Sequence, residues 1–81
     1  MRIDKYLKVS RIIKRRSVAN DACDNAHVRV NGRGVKASYE VKEGDEIEVS
    51  FGERKLTLRV TRVAEQVSKA DASAMYEIIE S

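Results

Sequence analysis

The hydrophobic residues at the start of the chain follow helical spacing. At about 100° per residue, the apolar residues that share one arc are Ile3, Tyr6, Leu7 and Ile13. The opposite arc carries the cations Lys5, Lys8, Arg11 and Arg15. Val9 and Ile12 interrupt this division, so we expect an amphipathic helix that bends or ends within residues 10–13.

A second helix is predicted after a basic connector at residues 14–16. Ser17 is the predicted N-cap, because its hydroxyl is able to accept a hydrogen bond from an unpaired backbone N–H of the first turn. Asp21 follows in the early turns, near the positive end of the helix dipole. The small residues that recur at helical spacing and form the predicted packing face are Val18, Ala19, Ala22, Cys23 and Ala26.

After Ala26 the hydrophobic period changes from 3.6 to 2, which is typical of β-strands. Residues 28–30 and 35–37 flank the run Asn31-Gly32-Arg33-Gly34, whose residues tolerate positive φ, and this pattern predicts a hairpin. The later alternating segments are residues 47–51 and 56–60, preceded by turns at residues 43–45 and 52–53. Together the strands predict a small antiparallel sheet with one buried face.

The C-terminal residues 69–79 predict a short helix or an irregular segment that closes the core. The apolar residues of this segment are Ala70, Ala74, Met75, Ile78 and Ile79. The fold class is therefore α+β, with two N-terminal helices packed on a small antiparallel sheet. A length of 81 residues predicts one domain over residues 1–81. So short a chain is expected to lack a deep enzyme pocket.

The two halves of the chain differ in net charge, which the net charge of the whole chain conceals. The net charge is only +3, yet residues 1–42 hold 11 basic and 4 acidic residues, a net +7, whereas residues 43–81 hold 5 basic and 9 acidic residues, a net −4. Such an asymmetry indicates a polyanionic partner bound by one end or face.

Other residue types exclude several classes of protein. Cys23 is the single cysteine, so no intrachain disulfide forms, and it is expected to be a small buried hydrophobe. With one histidine, His27, and no cluster at metal-ligand spacing, we expect no catalytic site, no metal and no cofactor. The absence of an apolar leader or membrane-length segment predicts a soluble, cytoplasmic protein.

The cations near the N-terminus are patterned as a phosphate-binding surface. The residues predicted to contact RNA are Arg2, Lys5, Lys8, Arg11, Arg15, Arg16 and Lys36. A solvated helix face and a membrane-surface helix are the alternatives, but the second would need Ile3, Tyr6 and Leu7, which the core requires. Few aromatics and no helix suited to reading a DNA major groove favour structured RNA over single strands or DNA.

Four motifs, in order and spacing, resemble the S4 RNA-binding domain over about residues 1–50. They are Arg2-Ile3-Asp4-Lys5-Tyr6-Leu7, Arg16-Ser17-Val18-Ala19, Val28-Arg29-Val30-Asn31-Gly32 and Val41-Lys42-Glu43-Gly44-Asp45-Glu46-Ile47. The resemblance implies RNA binding through the helical pair and the adjoining hairpin edge. It also implies that Arg2 and Arg16 are the principal RNA-contacting arginines.

The chain, as a stand-alone domain, resembles the bacterial RqcP (YabO) family, whose members are relatives of a ribosome-binding small heat-shock protein. The segments that carry this resemblance are residues 1–16, 35–38 and 74–76. This implies a non-enzymatic, ribosome-associated factor that binds stalled large ribosomal subunits through ribosomal RNA and peptidyl-tRNA. It implies further that the factor works with RqcH during alanine tailing, and we expect a monomer. The alternatives are a general large-subunit binding or assembly factor of the same fold, and a protein adaptor that uses the acidic half.

Two positions depart from the S4 pattern. Ala26 stands where glycine is usual, so a left-handed residue there costs about 1 kcal/mol unless Asn25 supplies that conformation instead. His27 stands where relatives commonly carry a basic residue, which places a phosphate contact at that position in doubt.

Overall fold

Two short helices pack on one face of a five-stranded sheet, and a third helix precedes the last strand. The computed structural model describes residues 1–80. In chain order, the elements are α1 (Ile3–Val9), α2 (Arg16–Asp24), β1 (Val28–Val30), β2 (Arg33–Gly34), β3 (Glu46–Phe51), β4 (Arg54–Val60), α3 (Lys69–Ala72), a 3-10 turn (Ser73–Met75) and β5 (Tyr76–Glu80). The α+β class and the two-helix packing on an antiparallel sheet are confirmed.

The sheet has the order β2-β1-β3-β4-β5, and every neighbouring pair is antiparallel. Alternation along the strands turns Ile47, Val49 and Leu58 inwards, against the helices. The side chains with almost no accessible surface are Ile3, Tyr6, Leu7, Val28, Ile47, Val49, Leu58, Val60 and Met75. The core is therefore one layer of mostly aliphatic side chains, with Tyr6 and Met75 among them, between the sheet and the helical pair.

The outer face of the sheet is covered by charged side chains that pair across strands. Arg59 of β4 reaches Glu46 of β3 at 3.5 Å and Glu77 of β5 at 3.6 Å, measured between guanidinium nitrogen and carboxylate oxygen. Because these pairs are exposed, each contributes little stability, but together they neutralise much of this face.

Helix α1 ends where the break in the hydrophobic pattern predicted. Ser10 is its C-cap, and Arg11 then adopts the left-handed conformation with φ +64. The Arg11 N–H bonds to the carbonyl of Lys8, and the Ile13 N–H returns to the carbonyl of Leu7 at 3.0 Å. This turn brings Ile13 back into the core.

The predicted start of α2 is two residues too late. The helix begins at Arg16 with Arg15 as an extended N-cap, and no side chain caps it, so Ser17 lies inside the first turn. Arg16 enters the helix with its guanidinium held by Asp4, which replaces the expected serine cap as the contact that fixes this end. The predicted packing face is correct for Ala19 and Cys23, which are buried, but Val18 and Ala26 are exposed.

The hairpin turns earlier than predicted. The return strand is Arg33–Gly34 rather than residues 35–37, because Asn31 and Gly32 alone make the turn, with φ of +52 and +83. Two consecutive positive φ values suit the right-handed twist of the flanking strands. Arg33 therefore pairs with Val30, and Gly34 pairs with Arg29.

The C-terminal segment is partly as predicted. The short helix α3 is present, and Met75 is fully buried, but the chain then forms β5 along the edge of β4 instead of an irregular closure. Ile78 and Ile79 are about half exposed rather than turned into the core. The segment is a strand because its backbone pairs with the free edge of β4. Its sequence lacks the strict alternation of apolar and polar residues that would have predicted a strand.

Ala26→Gly is expected to stabilise the protein by about 1 kcal/mol. Ala26 itself carries the left-handed conformation, with φ +64, while Asn25 keeps φ −101. Its N–H bonds to the carbonyl of Cys23, and the His27 N–H bonds to that of Ala22, so the helix end is a Schellman motif that favours glycine. Urea denaturation measures the gain. An unchanged or lower free energy of unfolding would contradict the assignment of strain to Ala26.

Candidate nucleic-acid interface

Asp4 organises the charged surface at the start of α1. Its side chain is only 2% exposed, and its carboxylate accepts hydrogen bonds from Asn20 at 3.2 Å and from the backbone N–H of Lys5 at 2.7 Å. Two guanidinium groups complete the cluster, with Arg2 at 3.3 Å and Arg16 at 3.4 Å from the same oxygen. A residue from before α1 and two from α2 therefore meet at one carboxylate.

The Asp4 carboxyl is ionised in this setting. Burial alone would raise its pKa, but hydrogen bonds from Asn20, Arg16 and the Lys5 N–H, with the positive charge of Arg16, hold the pKa below its ordinary value of 3.8. A buried negative charge thus holds two arginines in fixed positions.

Arg2 and Arg16 stay available to a ligand while they contact Asp4. Each side chain is 47% exposed. They line a shallow notch of about 430 Å³, whose other lining residues are Asp4, Ser17, Asn20 and Asp21. The lining is formally neutral, with two arginines and two aspartates. The guanidinium N–H donors that Asp4 leaves unused still suit the oxygens of a phosphate.

The other predicted RNA-contacting residues lie outside the lining of this notch and differ in their pairing. Lys8, Arg11 and Arg15 are exposed, and within residues 1–80 none of the three is paired with a carboxylate. Lys5 differs, because its ammonium is paired with Glu65, which lowers the pKa of that carboxyl.

Lys36 lies on the loop after β2, which contacts the start of α1. The next residue, Ala37, accepts a hydrogen bond from the Asp4 N–H at 3.4 Å, and Tyr39 accepts one from the Ile3 N–H at 2.8 Å. The structure therefore brings the Lys36 loop to the same end of the molecule as Arg2. RNA contact by these seven cations stays a prediction.

Sequence reasoning missed Asp4 and Asn20 as parts of the site. Asp4 could have been noticed because it is the only acidic residue among the first sixteen. Every other charged side chain in that stretch is a cation. Asn20 gave no signal, because its position one turn after Arg16 acquires meaning only when α2 is packed against α1.

The structure also shows the setting of the metal-binding residue types and of the single cysteine. Within residues 1–80, no three His, Cys, Asp or Glu side chains are grouped so that they could hold a metal ion. Cys23 is buried as predicted, and burial raises the pKa of its thiol to about 11, so it is a poor nucleophile at neutral pH. No helix in the described part of the chain is long and apolar enough to cross a membrane.

Comparison with known proteins gives matches over the whole chain. The family model of the S4 domain matches residues 1–47. The "RQC P-site tRNA stabilizing factor" of Halalkalibacterium halodurans is 49% identical over 78 residues, which is 96% of this chain and 89% of the relative. The protein of the same name in Bacillus subtilis is 44% identical over 79 residues, covering 98% of this chain and 92% of that one.

Solved structures show the same fold. Heat shock protein 15 of Vibrio cholerae, described as trimeric, superposes with a TM-score of 0.89 at 28% identity, over 96% of this chain and 80% of that one. The solution structure of the protein HP1423 gives a TM-score of 0.84 at 31% identity, over 100% of this chain and 99% of that one.

Proposed function

Because this chain belongs to the S4 domain family and, within it, to the RQC P-site tRNA stabilizing factors, we propose that it acts in bacterial ribosome quality control. On this proposal it binds stalled large ribosomal subunits that carry peptidyl-tRNA, through both ribosomal RNA and the tRNA. It acts as a monomeric, cytoplasmic, non-enzymatic factor. It supports RqcH by holding the tRNA while alanines are added to the stalled chain.

The observation that carries this proposal is the arginine pair held by Asp4. A factor that stabilises a bound tRNA needs rigid contacts to the phosphate backbone, and Arg2 and Arg16 have fewer side-chain conformations to lose on binding because Asp4 already holds them. Bidentate arginine contacts to phosphate are strong and do not depend on the base. The site is thus suited to RNA shape and backbone rather than to base sequence.

Arg2→Gln and Arg16→Gln are each expected to lower the affinity for stalled large subunits by about 10- to 100-fold, since each removes a charged hydrogen-bonding group. The measurement is co-purification from a bacterial lysate, with large-subunit RNA, tRNA and RqcH quantified together. Arg54→Gln is the matched control, because Arg54 is exposed on β4, within the part of the chain beyond the S4 match.

The distribution of the captured molecules separates the proposed function from its alternatives. Joint loss of large subunits, tRNA and RqcH with the Arg2 and Arg16 variants supports a role in quality control. Capture of free large subunits without peptidyl-tRNA would instead support a general large-subunit binding or assembly factor. Unchanged capture by both variants would overturn RNA binding and favour an adaptor that uses the acidic half.

The affinity for RNA should also depend on salt. If about 4 to 6 phosphates are neutralised, a plot of the logarithm of the affinity against the logarithm of the salt concentration should have a slope of roughly −3 to −5.

A further inference from the structure

A second basic surface lies at the opposite end of α1 from the arginine notch. It is a groove of about 640 Å³, with Lys8, Arg11 and Lys14 on one side and Gln66 and Lys69 on the other. Helix α1 has seven residues, which at 1.5 Å each separate its two ends by about 10 Å. Half of this groove comes from residues beyond the S4 match, which ends at residue 47.

The charges in the groove are unbalanced. Within residues 1–80, none of Lys8, Arg11, Lys14 and Lys69 forms an ion pair. Glu65 is the one acidic residue of the lining, and Lys5 already pairs with it. Four cations therefore face one open space, and a ligand with several negative charges would relieve their mutual repulsion.

Arg11 occupies this groove at a conformational cost. Its φ of +64 lies in the left-handed region, where a residue other than glycine costs about 1 to 2 kcal/mol. Glycine would close the same helix end without that cost. A strained residue with a long cationic side chain at the mouth of a basic groove suggests that its guanidinium is used there.

The C-terminal wall of the groove is ordered by local contacts. Val63, Ala64 and Val67 pack against the core, which holds the segment before α3 in place. Ser68 caps α3 by accepting a hydrogen bond from the Asp71 N–H at 3.2 Å, and its hydroxyl donates to the Asp71 carboxylate at 3.0 Å. Lys69 therefore stands on a fixed first residue of a helix rather than on a free loop.

We propose that this groove binds a stretch of RNA sugar-phosphate backbone in addition to the one at the arginine notch, and that Lys69 and Gln66 complete the site. The volume is within the range of small-molecule pockets, but those are mostly apolar, whereas four unpaired cations line this one. Lysine and arginine neutralise phosphates, and the Gln66 amide is able to donate to a phosphate or accept from a ribose 2′-hydroxyl. The inference rests on the proposed function and extends the RNA-binding face to the C-terminal segment.

The test compares Lys14→Gln, Lys69→Gln and the double variant with the wild type. Binding to large ribosomal subunits carrying peptidyl-tRNA is measured from about 50 to about 300 mM KCl. Each single variant is expected to weaken binding about fivefold at physiological salt and to reduce the steepness of the salt dependence by about 1, and the double variant by about 2. Lys55→Gln is the control, since it removes one positive charge from β4, away from the groove lining, and should leave the slope unchanged.

Three outcomes would overturn part of this account. If both groove variants bind like the wild type while Arg16→Gln loses affinity, the groove does not bind RNA and the proposed function stands. If Lys55→Gln weakens binding as much as Lys69→Gln, the effect is one of net charge and not of the groove. If the wild type itself does not bind these subunits, the proposed function fails and the groove proposal fails with it.

Discussion

Asp4→Ala is expected to lower both the stability of the protein and its affinity for RNA. The buried carboxylate has four polar partners, and two of them, Arg16 and Asn20, join the start of α1 to α2. Removing one partner of a fully buried ion pair costs about 3 to 5 kcal/mol. Because Arg2 and Arg16 are half exposed and regain water, the expected loss here is smaller, about 1 to 3 kcal/mol in the free energy of unfolding.

The affinity for stalled large subunits should fall about tenfold in the same variant, although Asp4 carries the wrong charge to contact a phosphate. The reason is that Arg2 and Arg16 lose the group that orients them. A double-mutant cycle with Arg16→Gln identifies this positioning role, since the two effects on affinity should be strongly non-additive. Equal or tighter binding by a folded Asp4→Ala variant would show that the arginines need no such support.

The pH dependence of stability provides an independent check on Asp4. The folded state holds the pKa of this carboxyl below its ordinary value of 3.8, so the folded state binds the proton less tightly than the unfolded state does. The stabilisation is therefore complete above about pH 4 and is lost as the pH falls through the folded value. The difference in unfolding free energy between wild type and Asp4→Ala should shrink on acidification below pH 3.8. A constant difference would contradict the assignment.

Met75→Ala is expected to cost about 2 to 4 kcal/mol, a large part of the roughly 4 to 12 kcal/mol available to a domain of this size. Met75 is 0% exposed and packs within the same core as Tyr6. Its carbonyl also accepts hydrogen bonds from the Tyr6 hydroxyl at 2.8 Å and from the Thr61 N–H at 2.9 Å. Burial raises the pKa of Tyr6, so its hydroxyl remains a donor at every physiological pH.

Thermal and urea denaturation would measure this effect, which should lower the melting temperature by roughly 4 to 8 °C for each kcal/mol. Ile79→Ala is the matched control, because Ile79 is 42% exposed and its truncation should cost well under 1 kcal/mol. Equal destabilisation by the two variants would contradict the burial of Met75 and the exposure of Ile79. The S4 half and the tail form one core, so the loss of stability caused by Met75→Ala should also unfold the RNA-binding helices.

The parts of the fold that could be predicted are those governed by strong local patterns. The burial of Ile3, Tyr6 and Leu7 follows from helical spacing, and that of Ile47 and Val49 follows from alternation. Each of these patterns extends over a whole element, so tertiary contacts reinforced the local preference rather than opposing it.

The parts that could not be predicted depend on contacts between distant segments. The start of α2 coincides with a contact between Arg16 and Asp4, which are twelve residues apart. Strand β5 forms because β4 offers an unpaired edge. The adjacent apolar residues Ile78 and Ile79 do not follow the alternation expected of a strand with one buried face. The groove at Lys69 requires that residues 65–69 lie against the end of α1. Neither pattern nor propensity within a single segment contains that information.

The outer edge of β5 has a consequence for handling the protein in concentrated solution. Its backbone groups on that side pair with no other strand of the described chain, and Ile78 and Ile79 lie beside them, which is the usual profile of a site for strand-to-strand aggregation. If the β5 strands of two molecules aligned antiparallel about Ile78 and Ile79, Glu77 of one would oppose Glu80 of the other, and two carboxylates would repel. These glutamates therefore act as gatekeepers that oppose strand-to-strand association at this edge.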